Sequence, residues 1–294
     1  MSIRRLIPHL FTAGNLVGGI LAIVFTLEGR IDIAPYFILI SAALDFLDGF
    51  VARLLKVQSE LGKQLDSLAD MVTFGVAPGI MMYWMLDPFF IEQYVMNLVQ
   101  DISVNNGEYL DVIWTIENAQ EGTVIVDNSQ RSSGSLLPLT KHFSFQYISF
   151  LIPVFALFRL AKFNLDENQK DGFIGLPTPA MTIFVASIPL IAYNIGAQEL
   201  IQLEVLLHIL QPFSLVLITV ILSILMVVPM KLFALKFKSF GWKGNELRYL
   251  FILSSAILLG TLFWWSLPII TVLYLVLSII NNITTKSAKN EIQS

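Results

Sequence analysis

Four aspartates lie close together in the sequence, in two pairs separated by a short polar stretch. Asp45 and Asp48 belong to the segment LDFLDGFVAR, and Asp66 and Asp70 belong to the segment GKQLDSLADMVTFG. If both segments are helical, spacings of three and four residues place each pair on one helix face. Two such faces in contact would gather four carboxylates, which repel one another unless cations neutralise them. Oxygen ligands suit hard divalent ions such as Mg²⁺ or Mn²⁺, and two such ions about 4 Å apart assist in-line phosphoryl displacement.

The residues around these aspartates favour a phosphate site but leave a simpler interpretation open. Small side chains keep one helix face accessible and let a ligand approach closely, at Gly49, Ala52 and Gly62. Arg53 can pair with a carboxylate or with a phosphate. In the simpler interpretation, the four carboxylates lie at a membrane interface and form salt bridges with Arg53, Lys56 and Lys63.

The composition indicates what kind of molecule must position these groups. The chain has 294 residues, of which 55% are hydrophobic and 14% are charged, whereas soluble domains carry about 25% charged residues. A soluble enzyme could not cover so much apolar surface, and a disordered chain is excluded by the same figures. The net charge of −4 gives no sign of nucleic-acid binding. Without cysteine there is no disulfide framework, thiolate catalysis or cysteine-ligated zinc, and the three histidines have no helical partner spacing. We therefore predict an all-α polytopic membrane protein.

Eight apolar runs of about the length of a membrane span follow one another along the chain. They lie at roughly 9–27, 33–55, 67–86, 145–163, 177–195, 211–230, 248–264 and 266–283. With the N-terminus inside, 15 of the 18 lysines and arginines fall on the inner side, which leaves Arg30, Arg131 and Lys141 outside. We therefore predict eight transmembrane helices with both termini in the cytoplasm. The first run is too long for a signal peptide and lacks a cleavage site, so we expect it to be an uncleaved span.

Three features lie beyond this regular pattern. Residues 88–143 are acidic and rich in Asn, Ser and Gly, and we expect an external solvated loop or a small cap. A basic stretch after the sixth run is expected to touch anionic lipid head groups from the inner side. The last two runs form either a tight hairpin or one bent element. We predict a core of residues 1–232 with 88–143 as an external insertion. The rest, 233–294, is the basic inner loop, a C-terminal helical hairpin and a short polar tail.

The spacing Asp45-x2-Asp48-Gly49-x2-Ala52-Arg53-x8-Gly62-x3-Asp66-x3-Asp70 resembles the signature of the CDP-alcohol phosphatidyltransferase family at all eight positions. The resemblance covers roughly the first six spans. It implies a core of six helices, usually in a homodimer, with a nucleotide site facing the cytoplasm.

The same resemblance implies roles for the site residues. The four aspartates would hold two divalent cations, Mg²⁺ or Mn²⁺, that bridge the CDP pyrophosphate. Asp66 and Asp70 would be the catalytic residues, with Asp70 as the general base that takes the proton of the acceptor hydroxyl. The remaining candidates lie beside the CDP moiety and are Gly49, Ala52, Arg53, Gly62, Thr12 and Asn15.

Two further stretches resemble the branch of this family that uses serine as the acceptor. The first is IPHLFTAGNLVGGILAI near the N-terminus, and the second comprises FRLAKFNLD and GFIGLPTPA after the fourth run. Candidate ligands for serine or for the lipid phosphate are Arg159, Lys162, Asn164 and Lys63. Lys162 stands where that branch usually has a second arginine, so the charge is kept and the planar fork is lost. The alternatives are ordinary inner-side charge for Arg159 and Lys162, and a helix start for the GLPTP turn.

The resemblance implies transfer of the phosphatidyl group from CDP-diacylglycerol to the hydroxyl of L-serine, giving phosphatidylserine and CMP. It also implies a prokaryotic cytoplasmic membrane and no nucleic-acid partner. The nearest alternative is the same chemistry with glycerol 3-phosphate or inositol phosphate as the acceptor. A more distant alternative is an ion-coupled transporter that uses membrane carboxylates as a cation relay.

Overall fold

The computed structural model of the chain describes residues 3–87, 145–165, 173–195, 200–233, 241–242 and 245–293. The predicted external loop at 88–143 lies outside these residues. The helices are α1 (Ile3–Leu27), α2 (Ala34–Leu54), α3 (Glu60–Asp70), α4 (Ala77–Met85), α5 (Leu151–Leu165), α6 (Thr178–Asn194), α7 (Leu200–Leu210), α8 (Pro212–Val227), α9 (Glu246–Leu262) and α10 (Ser266–Gln293). A π-helical segment (Met71–Val76) joins α3 to α4, and 3₁₀ segments precede α5 (Phe145–Phe150) and α10 (Phe263–Trp265).

Each of the eight predicted apolar runs contains a helix, and the protein is an all-α polytopic membrane protein. Four helical stretches are long and apolar enough to cross a membrane: Leu6–Leu27, Glu60–Met85, Phe145–Leu165 and Glu246–Thr284. Two shorter apolar helices are Thr178–Asn194 and Pro212–Val227. Helix α2 has 21 residues, but Asp45, Asp48 and Arg53 reduce its apolar character. The number of crossings and their direction stay predictions.

Helix α7 was not among the helices predicted from the sequence. It has 11 residues, about half the length of a membrane span. Leu203, Leu206, Leu207 and Leu210 are buried, at the spacing of one helix face. The helix therefore packs into the core through this face and directly precedes α8.

Close contact between α1 and its neighbours brings the N-terminal helix against both aspartate-bearing segments. A Cβ atom at Gly19 would lie 2.8 Å from Cα of Thr73 in the π-helical segment, so only glycine fits there. The hydroxyls of Ser41 and Thr73 donate to the backbone carbonyl of Asn15, at 3.2 and 3.1 Å. These two hydrogen bonds fix α1 at Asn15 against both α2 and the π-helical segment.

The π-helical segment directly follows Asp70 and is held by a residue of α6. Pro78 has no N–H, so it cannot donate to the carbonyl of Phe74, four residues earlier. The hydroxyl of Thr182 lies 2.9 Å from that carbonyl and 2.8 Å from the carbonyl of Thr178 in its own helix, so two acceptors share its hydrogen. The π-helical segment is therefore in contact with α6, a helix that is distant in the sequence. Such segments frequently occur at functional sites.

A short strand pair closes the GFIGLPTPA turn onto the end of α8. Strand β1 (Phe173–Ile174) pairs antiparallel with β2 (Lys231–Leu232). Gly175 has φ of +76°, and a Cβ there would overlap the carbonyl of Met226. Pro177 is the N-cap residue of α6, so this turn starts a helix, as one of the two interpretations expected.

The two C-terminal helices form the tight hairpin, not one bent element. The rings of Phe251 on α9 and Tyr274 on α10 have centroids 5.5 Å apart. In one continuous helix, residues with this separation in sequence would be about 34 Å apart. The chain reverses at Phe263, whose φ is +45°. The Tyr274 hydroxyl donates to the carbonyl of Phe233 at 3.0 Å, which ties the hairpin to the segment after β2.

Candidate active site

The four aspartates lie where α2 and α3 meet. One carboxylate oxygen from each of Asp45, Asp48 and Asp66 lies within 4.8 Å of the other two. Asp70 is an electrostatic neighbour of Asp45 and Asp66, so the fourth carboxylate lies near this trio. Asp48 is buried and the other three are partly buried. Side chains of both pairs thus converge between α2 and α3, as the spacing predicted.

A tight turn between α2 and α3 sets this geometry. Helix α2 ends in a Schellman motif, in which Lys56 N–H donates to the Arg53 carbonyl and Val57 N–H donates to the Ala52 carbonyl. Lys56 therefore adopts a φ of +54°, a value that usually requires glycine. Ser59 then caps α3, because its hydroxyl accepts from the backbone N–H of Gly62 at 3.1 Å.

Two side chains of α1 hold carboxylates of the neighbouring helices. The hydroxyl of Thr12 lies 2.8 Å from Oδ2 of Asp48 and donates to it. The Nδ2 group of Asn15 donates to Oδ1 of Asp70 at 3.1 Å. The sequence placed Thr12 and Asn15 beside the CDP moiety, and the structure places them against the aspartates.

The salt-bridge interpretation of the aspartates finds no support in the described part of the chain. There, none of the four carboxylates has a lysine, arginine or histidine nitrogen within 4.0 Å. Lys63 instead donates to the backbone carbonyl of Asn164 at 3.0 Å. Oδ1 of Asp66 is buried without a hydrogen-bond partner among the described residues. A buried carboxylate oxygen without a donor is costly, and a cation would satisfy it.

The donor set therefore fits a hard divalent cation. It consists of carboxylate oxygens that lie close together, carry net negative charge and form no salt bridge among the described residues. Asp45, Asp48 and Asp66 would be the ligands, with Asp70 beside them.

A cavity of about 510 Å³ opens beside the carboxylates, a volume within the usual range for small-molecule sites. Eight predicted site residues line it: Thr12, Asp48, Gly49, Ala52, Arg53, Gly62, Lys63 and Asp66. The carboxylates form one part of the wall, and Arg53 and Lys63 bring positive charge to another. Such a cavity can hold a ligand with a metal-bound anionic group and further negative charge.

Two glycines shape this wall. A Cβ at Gly49 would lie 3.4 Å from Nη1 of Arg53, so the guanidinium lies over this glycine. A Cβ at Gly62 would lie 3.2 Å from the Ser59 hydroxyl oxygen and 3.3 Å from Cε1 of His9. His9 also lines the cavity. His9 could not be predicted as part of this wall, because its proximity to Gly62 arises from the packing of α1 against α3.

The three other candidates for substrate contact do not line this cavity. Arg159 on α5 is only 8% exposed, and its Nε has no hydrogen-bond partner among the described residues. Lys162, one turn later, is exposed. The side chain of Asn164 pairs with Ser67, whose hydroxyl oxygen lies 2.8 Å from Nδ2 and 3.1 Å from Oδ1. The roles predicted for these residues stay predictions.

Comparison with known proteins gives independent information on this arrangement. Residues 5–108 match the family model for CDP-alcohol phosphatidyltransferase. The matched region contains all four aspartates and the α1 residues that contact them.

Several curated relatives carry the name CDP-diacylglycerol–serine O-phosphatidyltransferase. The protein from Bacillus subtilis is 30% identical over 173 residues, which are 59% of this chain and 69% of the relative. The protein from Helicobacter pylori strain J99 is 28% identical over 182 residues, 61% of this chain and 55% of the relative. The protein from Saccharomyces cerevisiae is 54% identical over 57 residues, 18% of this chain and 21% of the relative.

The B. subtilis match extends well beyond the signature, and the aspartate signature itself lies within the region that the family model recognises. With its carboxylates gathered at the contact of α2 and α3, the chain belongs to the CDP-alcohol phosphatidyltransferase family of enzymes.

Proposed function

We propose that the protein transfers the phosphatidyl group from CDP-diacylglycerol to the hydroxyl of L-serine, giving phosphatidylserine and CMP. The observation that carries this proposal is the convergence of Asp45, Asp48 and Asp66 beside a cavity that Asp48 and Asp66 line, with no salt bridge to any of the four aspartates among the described residues. The choice of serine is supported by the names of the curated relatives. It is also supported by the resemblance of two stretches to the serine-using branch.

The carboxylates would act together on the pyrophosphate. Asp45, Asp48, Asp66 and Asp70 would hold two divalent cations, Mg²⁺ or Mn²⁺. These, when bound, supply positive charge that stabilises the pyrophosphate and the departing CMP. Asp70 takes the proton from the serine hydroxyl. The serine oxygen then forms a bond to the lipid-side phosphorus, and the bond from that phosphorus to the bridging oxygen breaks. CMP leaves with the bridging oxygen.

The cavity wall is suited to the nucleotide half of the substrate. Gly49, Ala52 and Gly62 present little side-chain bulk, so the cytidine and pyrophosphate can approach the backbone. Arg53 can pair with phosphate oxygens. Its guanidinium lies over Gly49 and would uncover that glycine for the ligand if it moved away. Lys63 adds a second positive charge on the same wall.

For the acceptor, Arg159 is the strongest of the three candidates on α5. It is buried and its Nε lacks a partner in the described chain, so an anionic group such as the serine carboxylate would satisfy it. Its electrostatic partners include Asp70, which would bring an acceptor bound there towards the proposed base. Lys162 is exposed and Asn164 is already paired with Ser67, so we assign both a smaller part in binding the acceptor than Arg159.

A panel of acceptor alcohols tests this proposal directly. Purified protein with CDP-diacylglycerol and Mn²⁺ would be supplied with serine, glycerol 3-phosphate or inositol phosphate, and CMP and lipid products would be measured. We expect CMP release with serine only, in equal amount to phosphatidylserine. Preference for a phosphorylated alcohol would contradict the serine assignment while keeping the reaction class.

We also propose that the enzyme works as a homodimer in a prokaryotic cytoplasmic membrane, with both termini and the site on the cytoplasmic side. The family resemblance and the distribution of basic residues support this arrangement. Light scattering of the detergent-solubilised protein measures the oligomeric state, and a monomeric mass with full activity would contradict the dimer.

A further inference from the structure

Helix α1 reaches the carboxylate cluster with two polar side chains that lie one turn apart. Thr12 is 6% exposed and Asn15 is fully buried. Thr12 donates to Asp48 on α2 and Asn15 donates to Asp70 on α3. The cluster is therefore a three-helix site, in which α1 contributes donors and α2 and α3 contribute acceptors.

We infer that Thr12 and Asn15 are positioning residues for the metal-binding carboxylates and are not ligands of the nucleotide. The inference rests on the proposed function, because it assigns the aspartates as ligands of divalent cations. A donor that holds one oxygen of a carboxylate leaves the other oxygen directed at the cation and keeps the group from rotating. Hydrogen bonds to an ionised carboxylate are also stronger than those between neutral groups.

The surroundings of Asn15 favour this role over contact with the nucleotide. Asn15 is absent from the residues that line the cavity. Its backbone carbonyl accepts from Ser41 and Thr73, so its main chain is fixed from two sides. Its Oδ1 is buried without a partner among the described residues. With the amide reversed, an oxygen would face the Asp70 carboxylate, so the negative charge of Asp70 favours the observed orientation.

Thr12 has two acceptors within reach and one hydroxyl hydrogen. The Pro8 carbonyl in its own helix lies at 3.2 Å, and Oδ2 of Asp48 lies at 2.8 Å. The shorter distance and the charge of the carboxylate both favour donation to Asp48. Thr12 also lines the cavity, but its hydroxyl hydrogen is directed to the aspartate.

The test measures Mn²⁺ binding to the purified protein by electron paramagnetic resonance, in the absence of any substrate. Asn15→Leu and Thr12→Val keep the approximate side-chain volume and remove the donor. We expect each to weaken Mn²⁺ binding about 10- to 100-fold, the usual effect of removing an outer partner of a metal ligand. The KM for CDP-diacylglycerol at saturating Mn²⁺ should stay within about twofold of the parent value. Thr12→Ser, which keeps the donor, should restore Mn²⁺ binding.

Ser41→Ala is the matched control, because it removes a hydrogen bond to the backbone carbonyl of Asn15 and leaves both donors to the aspartates. It should lower the thermal midpoint without weakening Mn²⁺ binding. Unchanged Mn²⁺ binding in Asn15→Leu and Thr12→Val, with a raised KM for CDP-diacylglycerol, would overturn the inference and make both residues nucleotide ligands. If Asn15→Leu fails to fold, Thr12→Val decides alone. If the two variants bind Mn²⁺ more weakly but the parent protein does not use serine, the inference is supported and only the proposed acceptor is contradicted.

Discussion

At the scale of single residues, the aspartates differ in what surrounds them. Asp48 and Asp70 each accept a hydrogen bond from α1, whereas Oδ1 of Asp66 has no donor among the described residues. Asp66 therefore offers a buried oxygen with no protein donor competing for a cation. The orientation of Asp70 is held by Asn15.

Asp70→Asn should abolish CMP release while the protein stays folded. The amide keeps the shape of the side chain but cannot take up the proton, and loss of a general base typically costs about 10²- to 10⁴-fold in rate. The measurement is CMP release at saturating CDP-diacylglycerol and serine.

The control for this variant is Asp32→Asn. Asp32 lies in the loop before α2, where it pairs with Arg30 at 3.1 Å. It is not part of the site and should leave the rate unchanged. Substantial CMP release by purified Asp70→Asn protein would contradict the assignment of the base.

Lys56→Gly should stabilise the protein. Lys56 is exposed and has a φ of +54° at the end of α2, a conformation that costs a residue with a side chain about 1 kcal/mol relative to glycine. We expect a higher thermal midpoint in detergent and an unchanged KM. Lys56→Ala removes the same charge and keeps the backbone cost, so it should not stabilise. Equal effects of the two variants would mean that charge, and not backbone conformation, decides stability here.

At the scale of elements, the site depends on how closely α1, α3 and α5 approach one another. Glycine 19 lets α1 contact the π-helical segment, and the pair Ser67–Asn164 joins α3 to α5. Gly19 lies one helical turn after Asn15, and Ser67 directly follows Asp66. Packing between helices therefore sets the distances among the carboxylates.

Gly19→Ala should destabilise the protein by about 1–3 kcal/mol, because the added methyl group would overlap the backbone at Thr73. Since Asn15 lies one turn earlier, activity should fall as well. The comparison variant is Gly260→Ala on α9, where no described atom lies within 4 Å of the added methyl group. It should be neutral or stabilising, because alanine favours a helix. Thermal unfolding in detergent measures both, and similar midpoints for the two variants would contradict the close packing of α1.

Ser67→Ala and Asn164→Ala should be strongly non-additive. Each removes one partner of the same side-chain contact between α3 and α5, so the double variant should lose little more stability than either single one. A coupling of about 0.5–1.5 kcal/mol is expected for such a hydrogen bond. The free energies of unfolding of the four proteins form the cycle. Additive losses would show that Asn164 does not hold α3.

The elements were largely predictable from the sequence, and their irregular parts were not. Long apolar runs indicate helices directly, and the spacing of Asp45, Asp48, Asp66 and Asp70 indicates a shared face. The π-helical segment was not predicted, and the contact of its Phe74 carbonyl with Thr182 joins residues more than a hundred positions apart. The contacts of Thr12 with Asp48 and of Asn15 with Asp70 could not be predicted, because the partners are on other helices.

At the scale of the whole molecule, the basic residues and the aspartates of the site lie on the same predicted side of the membrane. Basic residues concentrate on the side predicted to be inner, and the aspartates of the site lie at the α2–α3 connection on that same side. Tyr274 of the C-terminal hairpin, whose hydroxyl donates to the carbonyl of Phe233, is also an electrostatic neighbour of the buried Arg159.

The chain has no cysteine, so introduced cysteines report the topology without background. Glu28→Cys lies in the loop predicted to be outside, and Gly241→Cys lies in the stretch predicted to be inside. Both positions are exposed. A membrane-impermeant maleimide should label Glu28→Cys in intact cells and Gly241→Cys only after the membrane is permeabilised. The reverse result would contradict the predicted orientation.

The absence of neighbouring lysine or arginine nitrogens within 4.0 Å of the four carboxylates in the described chain has a consequence for the supply of ions. Divalent cations bound there, as we propose, would balance part of the negative charge and so contribute to the stability of the native state. At a cation concentration one hundred times the dissociation constant, the contribution is about 2.7 kcal/mol. Under the proposed function, a cell depleted of divalent ions would therefore lose folded enzyme as well as turnover.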